Sequence, residues 1–181
     1  DSTDFPMGIG GEQLHEWMFK GEGVEVHGSY KTDTTNAEIV KEYFSSTGAF
    51  LMGRRWFDMG EEPWGKDPPF KMPVFVVTHR KHEKIIKGKT TFNFVTDGLE
   101  AAVREAKAAA GDKNVMAGAA SISQQLLQAG LLDEMLISLV PVLLGSGRPL
   151  FDQAMHKQVE LERIKVIEAP GVTHIRYRVV K

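Results

Sequence analysis

NVMAGAASISQQLLQAGLLDEMLISLVPVLLGSGRPLF, residues 114–151, is the stretch on which the reading of the fold turns. It opens as an apolar strand that stops at Gly118, Ala119 and Ala120, residues small enough for a sharp entry into a helix. ASISQQLLQAG follows as that helix. LLDEMLISLVPVLLG is then a long β-rich run, interrupted at Pro141, whose missing N–H calls for a bend or a sheet edge. Strand, tight turn, helix, strand is the repeating unit of a parallel sheet covered by helices.

The alternation extends upstream. MPVFVVT gives a strand from Pro73 to Val77, ended by the polar cluster Thr78, His79 and Arg80, and FNFVT gives another. DGLEAAVREAKAAAG is a helix with Leu99, Val103 and Ala106 on one face and Gly111 as its stop. GAFLMG reads as a buried strand over Ala49–Met52, leading into RRWFDMG, a helical turn. Before it, Thr35 and Glu38 have the T-x-x-E spacing of a capping box. They open a helix that turns Ile39, Val40, Tyr43 and Phe44 inward and ends near Gly48.

At the start of the chain, residues 1–10 read as loop, and Leu14, Trp17 and Met18 mark a short amphipathic helix over about Gly11–Phe19. Lys20 to Asp33, rich in glycine, reads as a connecting excursion. At the other end, VELERIKVIE and VTHIRYRVV alternate apolar with polar residues and are joined by APG, a half-exposed antiparallel hairpin expected to form an antiparallel edge. The expected architecture is one domain over residues 1–181. It is α/β and three-layered, with a mostly parallel central sheet, helices on both faces and a C-terminal antiparallel hairpin.

Composition narrows the function. The chain is 42% hydrophobic and 25% charged, enough for one sizeable core. A net charge of −2 gives no global attraction to nucleic acid or to an anionic membrane, so neither is an expected partner. The absence of cysteine removes disulfides, thiolate nucleophiles and cysteine–zinc sites. No apolar run reaches the roughly 18–20 residues of a membrane span, and no leader pattern opens the chain. A cytoplasmic location is the default expectation. His79 and His82 have H-x-x-H spacing but no helical context or nearby carboxylate, so no metal site is expected.

Three expected strand ends concentrate unusual residues. Met52 is followed by Gly53, Arg54 and Arg55; Val77 by Thr78, His79 and Arg80; Ala117 by Gly118, Ala119, Ala120 and Ser121. Ligands of such sheets sit beyond the carboxyl ends of the strands. Two of these ends place fixed positive charge on a slightly acidic chain. The third leads into a helix whose first amides and dipole favour a phosphate. Each has a plainer reading as solvated arginines or as close helix–strand packing; the case rests on their joint placement. A dinucleotide bearing an extra phosphate needs both features, an arginine fork and a helix start. Glu61–Glu62 and Asp133–Glu134 read as surface charge.

GAFLMGRRWFDMGEEPWG resembles the strand–G-R–helix segment of dihydrofolate reductases and of the riboflavin-biosynthesis reductases, the RibD C-terminal domain. MPVFVVTHR is similar to their next strand, and residues 114–151 resemble their later strand–turn–helix–strand module. That module closes with the P-x-x-x-G-x-G-x-x-L-F signature of the riboflavin branch. The similarity runs from about Gly10 to the C-terminus. It implies NADPH as cofactor, with Arg54 and Arg55 on its phosphates, Thr78, His79 and Arg80 around the adenosine ribose and 2′-phosphate, and Gly118 to Ser121 at the pyrophosphate. Leu143, Gly145 and Gly147 would lie toward the nicotinamide or substrate, and a homodimer is implied.

There are departures. The family opens with a central strand and an S-L-D-G-type loop, which these 181 residues lack, so sequence preceding Asp1 is expected. Dihydrofolate reductases pair two glycines through a cis bond where this chain has Gly118–Ala119. They also carry a pterin-binding carboxylate on the first helix, where this chain reads EQLHEWMF, residues 12–19.

The implied activity is hydride transfer from NADPH to a C=N or C=O carbon of a small heterocyclic metabolite, as in 5-amino-6-(5-phosphoribosylamino)uracil reductase. No residue declares itself as proton donor; His15, Glu16 and the acidic opening segment (Asp1, Asp4) are the candidates, and His15 and Glu16 read equally well as the polar face of the first helix. The alternatives are a non-catalytic NADP-binding module and dihydrofolate reductase proper.

Overall fold

The structure is a computed structural model and describes residues 10–19, 24–26, 30–147, 149–151 and 158–181. A 3₁₀ turn, Gly11–His15, runs into α1 (Glu16–Phe19), then β1 (Val24–Val26), β2 (Tyr30–Thr32), α2 (Thr34–Ser46), β3 (Thr47–Gly53) and α3 (Arg54–Gly60). Next come β4 (Pro73–Val77), β5 (Ile85–Lys87), β6 (Thr90–Val95), α4 (Leu99–Ala110), β7 (Asn114–Ala117) and α5 (Ala120–Gln128). The chain ends with β8 (Glu134–Leu139), β9 (Leu161–Ala169) and β10 (Val172–Val179). These elements form two compact units, residues 42–126 and residues 1–41 with 127–181.

The unit of residues 42–126 is built on a five-stranded sheet in the order β5-β6-β4-β3-β7. β6, β4, β3 and β7 are mutually parallel, and β5 alone is antiparallel, reversing into β6 through Gly88 and Lys89. Register puts Phe50 beside Val74, and Val74 beside Phe92, so these side chains share one face. With Met52, Val76 and Phe57 of α3 they form a core in which Phe57, Val74, Val76 and Phe92 are wholly buried. Ala49, Leu51 and Phe75 alternate to the opposite face and are also buried, and α4 packs against β3, β4 and β7. Apolar residues on both faces of β3 and β4 are what a parallel sheet covered on each side requires.

The other unit holds a three-stranded antiparallel sheet, β8-β10-β9, and the small β1–β2 ladder. The C-terminal hairpin is therefore not the antiparallel edge of the parallel sheet: β10 pairs with β8 instead, and that edge is β5. The excursion expected over Lys20–Asp33 contains β1 and β2, two strands too short to show a period. The capping box also gives way to a different cap. α2 begins one residue earlier than Thr35, and the Asp33 carboxylate accepts the N–H groups of Thr35 at 2.9 Å and Asn36 at 3.2 Å.

Candidate functional site

Because β7, β3, β4 and β6 are parallel neighbours, their C-terminal tips line one edge of the sheet. At about 4.8 Å per strand, this row is roughly 14 Å long. The three groups singled out in the sequence emerge side by side on it, from β7, β3 and β4. None of the residues 53–55, 78–80 and 118–121 is acidic, and none is a cysteine. Cations, hydroxyls and amides are what these three tips offer, chemistry suited to holding an anion rather than to attacking a substrate; the fourth tip, that of β6, is followed by Thr96 and Asp97.

At the β3 tip the two arginines have different fates. Gly53 is extended (φ −86, ψ 157) and turns the chain into α3. Arg54 is partly covered. Its Nε donates to Asp58 Oδ1 at 2.6 Å, one helical turn on, and its Cζ lies 5.7 Å from the Phe57 ring centroid and 5.6 Å from that of Phe94. The pair uses one of the guanidinium's five N–H donors while aromatic contact fixes its plane. Arg55 is exposed on the helix surface. Arg54 is thus a prearranged cation, which the R-R dipeptide alone did not reveal.

At the β4 tip Thr78 is buried (6% exposed) and serves the backbone. Its N–H donates to Val95 O at 3.1 Å, and its Oγ1 accepts the Arg80 N–H at 3.1 Å. That turn sends His79 and Arg80 outward, both exposed. Two residues later the His82 ring lies on Phe94, with centroids 4.3 Å apart.

At the β7 tip the Gly118 N–H donates to Leu51 O at 3.1 Å. A Cβ on Gly118 would stand 2.0 Å from Trp56 and 2.9 Å from Phe50, so this glycine is required by the indole packed on it. No cis peptide occurs among the described residues; the turn is made by Ala119 in the left-handed region, φ 73. A non-glycine residue there costs about 1–2 kcal/mol and marks a turn held by its surroundings. Ala120 opens α5, and Ser121 lies half-buried in its first turn.

The other expected site residues belong to the second unit described above. Leu143 is fully exposed, and Gly145 and Gly147 have φ of 75 and 134, which accounts for glycine at both. His15 donates from Nδ1 to Gly11 O at 3.1 Å, and Glu16 begins α1 half-buried. Asp1 and Asp4 lie outside the described residues.

That unit also contains a polar chain not foreseen from the sequence. His174, 1% exposed, sits against Trp17 with ring centroids 4.8 Å apart. The Asn36 Nδ2 donates to the Asp33 carboxylate and to Pro170 O, so its Oδ1 faces His174 and must accept from Nε2, at 2.8 Å. Nδ1 is then the acceptor for the Ser138 hydroxyl, at 2.9 Å. Burial holds the imidazole below its ordinary value of 6.5, partly opposed by the Asp33 carboxylate. The available signal was a histidine at an inward position of the β10 alternation, between buried Val172 and half-buried Arg176.

Comparison with known proteins follows this architecture. The family model for the RibD C-terminal domain matches residues 10–174. The uncharacterised protein YyaP of Bacillus subtilis (strain 168) is 28% identical over 118 residues, 61% of this chain and 62% of YyaP, so the match spans under two thirds of that relative. A crystal structure from Shewanella sp. PV-4, provisionally described as a riboflavin biosynthesis protein, superposes with a TM-score of 0.68 at 23% identity, covering 94% of this chain and 88% of that one. Dihydrofolate reductase from Enterococcus faecalis, solved with NADP(H), gives 0.51 at 13% identity over 87% of this chain and 89% of its own. At these identities the two structures establish the dihydrofolate-reductase-like fold.

Proposed function

Since the chain belongs to the RibD C-terminal domain family, we propose that it is a reductase that binds NADPH along the C-terminal edge of its five-stranded sheet and reduces a C=N or C=O carbon of a small heterocyclic metabolite. The observation that carries this reading is the row of three adjacent strand tips bearing cations, hydroxyls and amides without an acidic group. NADPH, when bound, supplies the hydride. The chain's own work is to bind and orient it. Arg54, held by Asp58 and the aromatic pair, offers its remaining donors to a phosphate without losing rotamer freedom on binding. The turn Gly118–Ser121 presents the first amides of the nine-residue α5 to the pyrophosphate. Arg55 and Arg80 add positive charge around them, and His79 adds a ring nitrogen.

The test is thermal unfolding with NADPH and with NADH. Binding to the folded chain adds RT ln(1 + [L]/Kd), about 2.7 kcal/mol at a hundredfold excess over Kd. NADPH is expected to raise the midpoint well above NADH, and Arg54→Ala and Arg55→Ala each to narrow that gap. If neither substitution alters the preference, the cofactor assignment is wrong. One observation favours a second reading, an NADP-binding module without turnover: residues 53–55, 78–80 and 118–121 contain no carboxylic acid to return a proton. NADPH consumption in the presence of 5-amino-6-(5-phosphoribosylamino)uracil separates the two.

A further inference from the structure

The 3₁₀ turn Gly11–His15 and α1 are thinly seated on their unit. Among residues 11–19 only Gly11 is buried, and Leu14 and Phe19 are 36% and 50% exposed. A four-residue helix does not persist by itself in water. Trp17 is what seats it. Its carbonyl accepts the Thr32 hydroxyl, and a Cβ on Gly171 would stand 4.0 Å from its own Cβ, so it lies over the β9–β10 turn. Its ring meets His174 at 4.8 Å between centroids, with the planes at 77°. β10, which carries His174, is far better secured, paired with β8 on one side and β9 on the other. The ring's hydrogen bonds also survive protonation. Nε2 still donates to Asn36 Oδ1, and the Ser138 hydroxyl turns from donating to accepting. What protonation costs is a charge shut away from water, since His174 is 1% exposed. Lifting Trp17 hydrates that charge with the least loss of structure.

We propose that His174 is a proton-operated latch for the α1 segment: when Nδ1 takes up one proton from solvent, the seat of Trp17 weakens and residues 11–19 open away from the β9–β10 turn while the three-stranded sheet stays paired. The device does not depend on the cofactor. Asp33, ahead of α2, is the charge that favours the proton. β8 faces the ring with Ser138 and β9 carries Ile167 beside it, both uncharged. Along β10 Arg176 follows two residues on, and α1 brings Trp17, next to Glu16. Burial outweighs the Asp33 carboxylate and holds the imidazole below 6.5, so the opened segment binds the proton more tightly than the seated one. Opening is therefore rarest above about pH 6.5. It grows as pH falls, by up to about tenfold per pH unit for one proton, and levels off at the folded value.

The experiment is hydrogen exchange read by mass spectrometry on the wild-type chain and His174→Gln, from neutral to mildly acid pH, with each rate corrected for intrinsic exchange at that pH. In the wild type, protection of residues 11–19 is expected to fall below about pH 6.5, by up to about tenfold per pH unit, and to be insensitive to low guanidinium. Protection of residues 172–179 should instead fall as guanidinium is added, because their exchange needs a larger unfolding. In His174→Gln, residues 11–19 should show no such pH dependence. If residues 11–19 match residues 172–179 in both protection and guanidinium dependence, α1 opens only with the whole unit and there is no latch. If the pH dependence is equal in the two proteins, the proton goes elsewhere and the proposal falls. Should His174→Gln not fold, the wild type decides alone. Its loss of protection should level off at the pH where the His174 imidazole titrates by NMR, and an imidazole midpoint at or above 6.5 overturns the proposal.

Discussion

His174 shows how much of one unit can depend on a single side chain. Its two nitrogens join Ser138 of β8 to Asn36 of α2, and its ring edge meets Trp17 of α1, so four elements converge on one imidazole. The proton arrangement is forced, because Asn36 already gives its amide hydrogens to Asp33 and Pro170. Burial lowers the folded pKa below 6.5. The unfolded chain therefore binds this proton at higher pH than the folded one, and stability is fully present above about pH 6.5, declining as pH falls toward the folded value. Chemical denaturation followed from neutral to mildly acid pH should show that decline. His174→Gln is expected to be less stable at neutral pH and to have a flatter slope over this window. An unchanged slope would refute the assignment.

Among the elements, α2 is where a sequence rule and the folded chain part most clearly. Thr35 and Glu38 have the right spacing for a capping box, yet Asp33 closes the helix, because its carboxylate reaches the amides of Thr35 and Asn36 from one residue before the helix. Two legitimate caps competed, and the one also tied to the Asn36 side chain prevailed. Asp33→Ala is expected to cost about 1–2 kcal/mol in denaturant unfolding, more than Asp33→Asn, which keeps an accepting oxygen; equal losses would show that the cap contributes nothing. Elsewhere the element reading was good where the period was long. β4 was placed at both ends, α4 ends at its expected stop, Gly111, and β7 and α5 followed from the small-residue turn between them. β5 was missed although KGKT, residues 87–90, is a two-residue hairpin signal; three residues of strand gave it too little period to register.

At the scale of the molecule, parallel order turns scattered motifs into one edge, and binding should register there. Hydrogen exchange with saturating NADPH is expected to slow in residues 53–55, 78–82 and 118–121, all within the unit of residues 42–126. Binding without protection at these tips would move the site elsewhere. No helix among the described residues is long and apolar enough to cross a membrane.

The sequence alone determined that strands end in R-R, T-H-R and G-A-A-S, since periodicity, turn residues and strand length are local properties of a chain. Only the tertiary structure decided that Arg54 is held by Asp58 and set against Phe57 and Phe94, that His82 shares Phe94 with it, and that His174 closes a polar chain. Those facts depend on partners brought together across the fold: His174 and Asn36 are 138 residues apart, and no local pattern encodes such a pairing.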